Sequence, residues 1–158
     1  MKRAIIRFWR KLKEPIAKKE LFSFIREGLL IAFVFAAMLG ALRFLIIFTP
    51  FSFLTLFTFI IFYLFLIKRL RGSFNFYHIV YSILAVVFLL LGDYIMSVSS
   101  VVIEYLYRGA TIKGFIFNPI YHFSFLFDWS FDIFQIILNL LNIFIYGIII
   151  YFTYQRMK

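Results

Sequence analysis

The chain has 158 residues, 65% of them hydrophobic and 23% aromatic, with a formal net charge of +10 and no cysteine. A soluble domain runs at about 45–50% apolar, and here the excess is gathered into blocks long enough to cross a bilayer, so the composition points away from a soluble domain and to an integral membrane protein. Without cysteine, disulfides, thiolate nucleophiles and iron–sulfur or cysteine–zinc sites are excluded.

A hydrocarbon core about 30 Å thick takes about 20 helical residues. Four stretches meet or approach that length: residues 29–48, 51–67, 76–96 and 133–151. Their apolar runs are continuous rather than alternating, which argues for helices over a transmembrane barrel. The expected fold is all-α: a polytopic four-helix transmembrane bundle forming one membrane domain over residues 1–158, with no repeat and no linker.

Residues 2–20 read as a basic amphipathic helix. Ile5, Phe8 or Trp9, Leu12 and Ile16 recur at helical spacing, and Arg3, Arg7, Arg10 and Lys11 fill the other faces. Such a helix lies on a membrane surface, with its aromatics at the acyl boundary and its cations on anionic head groups. This placement accounts for the basic charge without nucleic acid as a partner. Lysine and arginine also crowd the 68–71 loop and the C-terminal tail, and they thin out between residues 98 and 132. The positive-inside rule therefore places both termini and the 68–75 loop in the cytoplasm and 98–132 on the far side of the cell membrane.

The first stretch carries Gly28, Ala32, Ala36 and Gly40 at intervals of four, a ridge of small residues that admits another helix closely. Arg43 projects from the same side, near the end of the stretch. The second stretch follows Thr49-Pro50 as the return arm of a hairpin, with Ser52, Thr55 and Thr58 in its first half. Gly72-Ser73 makes the next turn, and Asn75 is a candidate cap for the third helix. In that helix His78, Ser82, Ala85, Leu89, Asp93, Met96 and Ser100 share one face. Asp93 is the only carboxylate inside an apolar run, which predicts a pairing with Arg43 or a shared polar cluster.

Residues 98–132 form an outer segment. Val98–Tyr107 can extend the third helix or lie at the interface, and Glu104 can pair with Arg108. Gly109 to Gly114 reads as a turn. The aromatic run 115–127, broken by Asn118-Pro119, is short for a span and reads as interfacial or re-entrant. The fourth stretch then carries a polar stripe. Asp128, Asp132, Gln135, Asn139, Asn142, Tyr146 and Thr153 fall within an arc of roughly 80° on a helix. Buried amides need partners, so this stripe must face protein or water.

No metal or cofactor motif is present. His122 with Asp128 and Asp132 matches no ligand spacing, and Gly-rich phosphate loops are absent. Segments Leu91-Gly92-Asp93-Tyr94-Ile95, Val102-Ile103-Glu104-Tyr105 and Phe127-Asp128-Trp129-Ser130-Phe131-Asp132, together with size and topology, loosely resemble the lipoprotein signal peptidases, which are membrane aspartyl proteases. The resemblance implies Glu104 and Asp132 as an acid dyad. Met96 and Ser97 stand where the family has Asp-Arg, Glu104 is one position out of register, and the last segment has an extra residue.

Three functional readings follow. The first is a small non-enzymatic membrane subunit that packs through its helices with partner membrane proteins or with itself, Gly28, Ala32, Ala36 and Gly40 being one contact surface. The second is a solute or ion pathway lined by Arg43, Asp93, Gln135, Asn139 and Asn142. The third is the protease-like enzyme.

Overall fold

The computed structural model describes residues 15–47, 49, 54–124 and 133–158. The surface helix read over residues 2–20, with Arg3, Arg7, Trp9, Arg10 and Lys11, lies mostly outside the described residues, as do Pro50, Ser52, Asp128 and Asp132. Among the described residues all regular structure is helical. Helix α1 runs Lys18–Ile47, α2 Thr55–Arg71, α3 Ile79–Tyr107, the single turn α4 Pro119–His122, and α5 Ile133–Arg156. Three of them, α1, α3 and α5, are long and apolar enough to cross a membrane. Helix α2 is shorter, at 17 residues.

Helices α1 and α3 depart furthest from the boundaries that hydropathy draws. Helix α1 begins at Lys18, well before residue 29, so charged Lys18, Lys19, Glu20, Arg26 and Glu27 belong to the same continuous helix as the apolar part. Helix α3 begins at Ile79 rather than residue 76 and continues unbroken to Tyr107. Its start is set by His78 in extended backbone (φ −131°, ψ 143°), whose Nδ1 accepts from the Val80 N–H at 3.2 Å. Asn75, the expected cap, donates instead to Glu20 Oε1 at 3.1 Å. The end is a glycine stop. Gly109 adopts φ 64°, Gly109 N–H bonds Leu106 O at 3.1 Å and Ala110 N–H bonds Tyr105 O at 2.9 Å. That reciprocal pair satisfies two of the last free carbonyls, and the left-handed conformation suits a residue without Cβ. Nothing before Gly109 breaks the helix, so Val98–Tyr107 extends it.

Helix α3 is the central element, and glycines set its distances to its neighbours. A Cβ on Gly40 of α1 would lie 2.4 Å from the Met96 carbonyl oxygen and 2.7 Å from Ser99 Cβ. One on Gly28 would lie 2.3 Å from the Phe88 ring, and one on Gly92 2.0 Å from the Phe62 ring of α2. Ala32 and Ala36 are fully buried between Gly28 and Gly40. The small ridge of α1 is thus filled by α3 of the same chain.

Its geometry has an unusual aid. On an ideal helix, residues four apart drift by about 40° per step, so Gly28 and Gly40 would diverge by about 120°. Between them Ile31–Phe35 is a π turn, whose wider i→i+5 bonding winds less per residue. It takes back part of the drift and returns both glycines to α3.

The start of α1, the end of α2, the start of α3 and the end of α5 gather at one end of the bundle, called here the basic end. Arg69 Nη2 pairs with Glu27 Oε2 at 2.9 Å. Arg71 Nη1 donates to Arg156 O at 2.7 Å and Ser82 Oγ to Tyr154 O at 3.2 Å. Beneath them Phe74 and Tyr81 stack with centroids 4.6 Å apart, and the Phe24 ring lies tilted against both. Of the three long apolar helices α5 is the least embedded. Only Asn139 and Thr153 of its residues are buried.

Candidate functional site

In the interior, toward the end opposite the basic end, three polar side chains from separate elements converge. Asp93 of α3 is 6% exposed. Its Oδ2 accepts from the Tyr146 hydroxyl of α5 and lies 3.2 Å from His122 Nε2 of α4. Helix periodicity accounts for the convergence in part. Asp93 lies on the α3 face that also carries buried Ala85, Leu89, Met96 and Ser100, and Tyr146 belongs to the α5 stripe.

His122 is delivered by a local device. Asn118 Oδ1 accepts from Ile120 N–H at 3.0 Å, with Pro119 at the first helical position. This caps a single turn that ends at the histidine. Tyr94 Oη donates to Phe117 O at 2.6 Å, tying the preceding 3₁₀ turn, Gly114–Phe117, to α3. The Tyr94 and Phe123 rings meet the His122 imidazole edge-on, with centroids at 5.9 and 4.5 Å. The histidine is thereby fixed among aromatics with one nitrogen on the carboxylate. It also lines a cavity of about 310 Å³ shared with Ser97, Val101, Ile116, Tyr121 and Ser124.

The expected pairing of Arg43 with Asp93 is not what the structure shows. Among the described residues Asp93 pairs with His122, and no ion pair joins it to Arg43. The helix register explains this. Gly40 sits against Met96 and Ser99, so Arg43, one turn further on, is roughly 10 Å beyond the level of Asp93. A third helix ending at residue 96, where the apolar stretch ends, would put the two at similar depth, but α3 continues to Tyr107. Arg43 is half-buried and lies within electrostatic reach of Tyr146.

The remaining stripe residues part company. Gln135 Nε2 donates to Asn139 Oδ1 at 3.1 Å, and Asn139 is 1% exposed. Asn142 is exposed and makes no hydrogen bond among the described residues. Neither Asn142 nor Arg43 lines the cavity beside His122. Glu104 pairs with Arg108 at 2.7 Å, and its proposed companion Asp132 lies outside the described residues. Among the described residues no group of three potential metal ligands comes together.

The sequence brings His122 forward only beside Asp128 and Asp132, and not as the partner of Asp93, 29 residues away. The signal was Asn118-Pro119, a helix-start pair three residues before a histidine inside an aromatic run. Chemically, the cluster is a buried carboxylate oriented by two donors, able to hold three elements in register and to keep a proton acceptor in an apolar setting.

No protein-family model, curated protein or solved structure matches the chain.

Proposed function

We propose that this chain is a small non-enzymatic integral membrane subunit that packs through its helices against partner membrane proteins or copies of itself. In this reading four helices span the cytoplasmic membrane, with both termini and the 72–78 link on the cytoplasmic side. The aromatic segment 109–124 caps the opposite end. Lys18, Lys19, Arg26, Lys68, Arg69 and Arg71 then face anionic head groups at the basic end.

One observation carries the reading: the exposure of α5. Phe134, Ile137, Leu141, Phe144, Ile148 and Phe152 are each at least 37% exposed. In water so long an apolar face would be an aggregation site, whereas lipid or a partner helix covers it at no cost. The exposed Asn142 amide on that helix asks for protein rather than lipid. The small ridge of α1, already occupied by α3, is not available for this role.

Purification of the full chain in mild detergent tests the proposal. The expected result is recovery in a complex larger than one chain, with dissociation as detergent stringency rises. A stable single chain with no companion overturns it.

A second reading draws on the Asp93 cluster. An ionisable group inside an apolar bundle is by default a functional one, and His122 joins it to a cavity. A solute or ion pathway requires water access past His122 to Asp93 and Asn142. Substituted-cysteine labelling at Asn139 and Asn142 by a water-soluble reagent separates this reading from the first.

A further inference from the structure

We infer that α5 pairs with α5 of a second copy of this chain across a two-fold axis along the membrane normal, through the face bearing Asn142. The inference rests on the membrane-subunit reading above and deepens it by naming the partner.

Asn142 is the tenth residue of α5, which starts at Ile133, so it lies about 13–14 Å along the helix axis from that start. In a core about 30 Å thick this is close to the midplane. An unpaired primary amide there is costly. Its neighbours on the stripe avoid that cost inside the chain: Gln135 bonds Asn139, and Tyr146 bonds Asp93. Asn142 is turned outward, flanked on its own side of the helix by exposed Leu138 and Ile145. About two and four turns nearer the basic end, Ile149 and Arg156 on that side share a cavity with Tyr63 of α2. Asn142 itself remains exposed.

Whatever covers it must offer a donor and an acceptor at one depth. A carboxamide is its own complement, since its oxygen accepts and its nitrogen donates. Two copies with the same topology carry Asn142 at the same depth automatically. A two-fold axis then brings amide to amide, each donating to the other, as a self-complementary interface requires. A different protein would need a polar group placed independently at that level. The other uncovered feature of α5, the groove toward Ile83 and Val87 beside Gly147 and Ile150, is almost wholly apolar. It makes no comparable demand, and an acyl chain satisfies it.

The absence of native cysteine gives a clean test. Leu138→Cys, Ile145→Cys and, as control, Phe144→Cys are made singly in the full chain and oxidised in native membranes. Phe144 is also exposed, but it lies about 200° around the helix from Asn142. Disulfide-linked dimers are expected from Leu138→Cys and Ile145→Cys, and at least about tenfold fewer from Phe144→Cys. In the Leu138→Cys chain, Asn142→Leu should lower the dimer yield about fivefold, while Asn142→Gln should hold it near the parent. Equal cross-linking from Phe144→Cys, or a yield indifferent to Asn142→Leu, overturns the pairing. Recovery of the chain in a larger complex without cysteine dimers overturns the homodimer and leaves the subunit reading standing. A lone chain in mild detergent removes both.

Discussion

At the scale of single residues, the Asp93 carboxylate is held by two donors that arrive from α4 and α5. Removing a donor leaves part of a buried carboxylate unsatisfied, at a cost of about 1–3 kcal/mol. Tyr146→Phe should therefore destabilise the folded chain by that order, and Asp93→Asn with Tyr146→Phe should couple non-additively. Arg43→Ala and Asp93→Ala, by contrast, should couple less than Asp93→Asn with Tyr146→Phe, because no ion pair joins the two charges and Arg43 reaches Asp93 only through Tyr146. Equilibrium unfolding in mixed micelles of the single and double variants measures both. Equal or larger coupling between Arg43 and Asp93 would show that the charges reach each other after all. Asp93 was legible as the residue that needed a partner. The partner was not, since the need is a property of one residue and the supply depends on where α3 ends and α4 points.

At the scale of elements, the ridge in α1 was legible from Gly28, Ala32, Ala36 and Gly40 alone. Its occupant was not, because small residues admit any helix. The structure ranks the glycines. At Gly40 the obstacle is the Met96 backbone carbonyl, which moves only if α1 and α3 separate, whereas at Gly28 it is the Phe88 ring. Gly40→Ala should therefore cost more than Gly28→Ala, about 1–3 kcal/mol as overpacking, read as a lower midpoint of thermal unfolding in detergent. A larger loss at Gly28 would mean that Phe88 has nowhere to turn. The length of α3 escaped hydropathy because a window finds apolar residues, and Ser97, Ser99, Ser100 and Glu104 dilute the score without breaking the helix. Its two ends are written in His78 and Gly109, which are backbone signals.

At the scale of the molecule, composition alone declared the helical class, and the clustered cations suggested one orientation. Ser73→Cys and Lys158→Cys should be labelled by an impermeant maleimide only after the cytoplasmic side is opened, and Thr111→Cys from the outside of intact cells. Labelling of Ser73→Cys and Thr111→Cys from the same side would refute the proposed arrangement. The polar stripe of α5 is legible as a face that needs protein or water, and the apolar stretch 133–151 falls five residues short of the helix's C-terminal end at Arg156. The stripe divides at its edge. Asn139 and Tyr146 turn inward, and Asn142, at the edge of the arc, does not.

The π turn at Ile31–Phe35 has a consequence for descent. Such a turn is equivalent to one residue inserted into a regular helix. A homologue lacking one residue there would carry an unbroken α-helix, and its small residues would have to recur at alternating intervals of three and four to keep facing α3. Alignments of this chain with distant kin should therefore place a single-residue gap in that stretch, and a change in the spacing of glycine and alanine should accompany it.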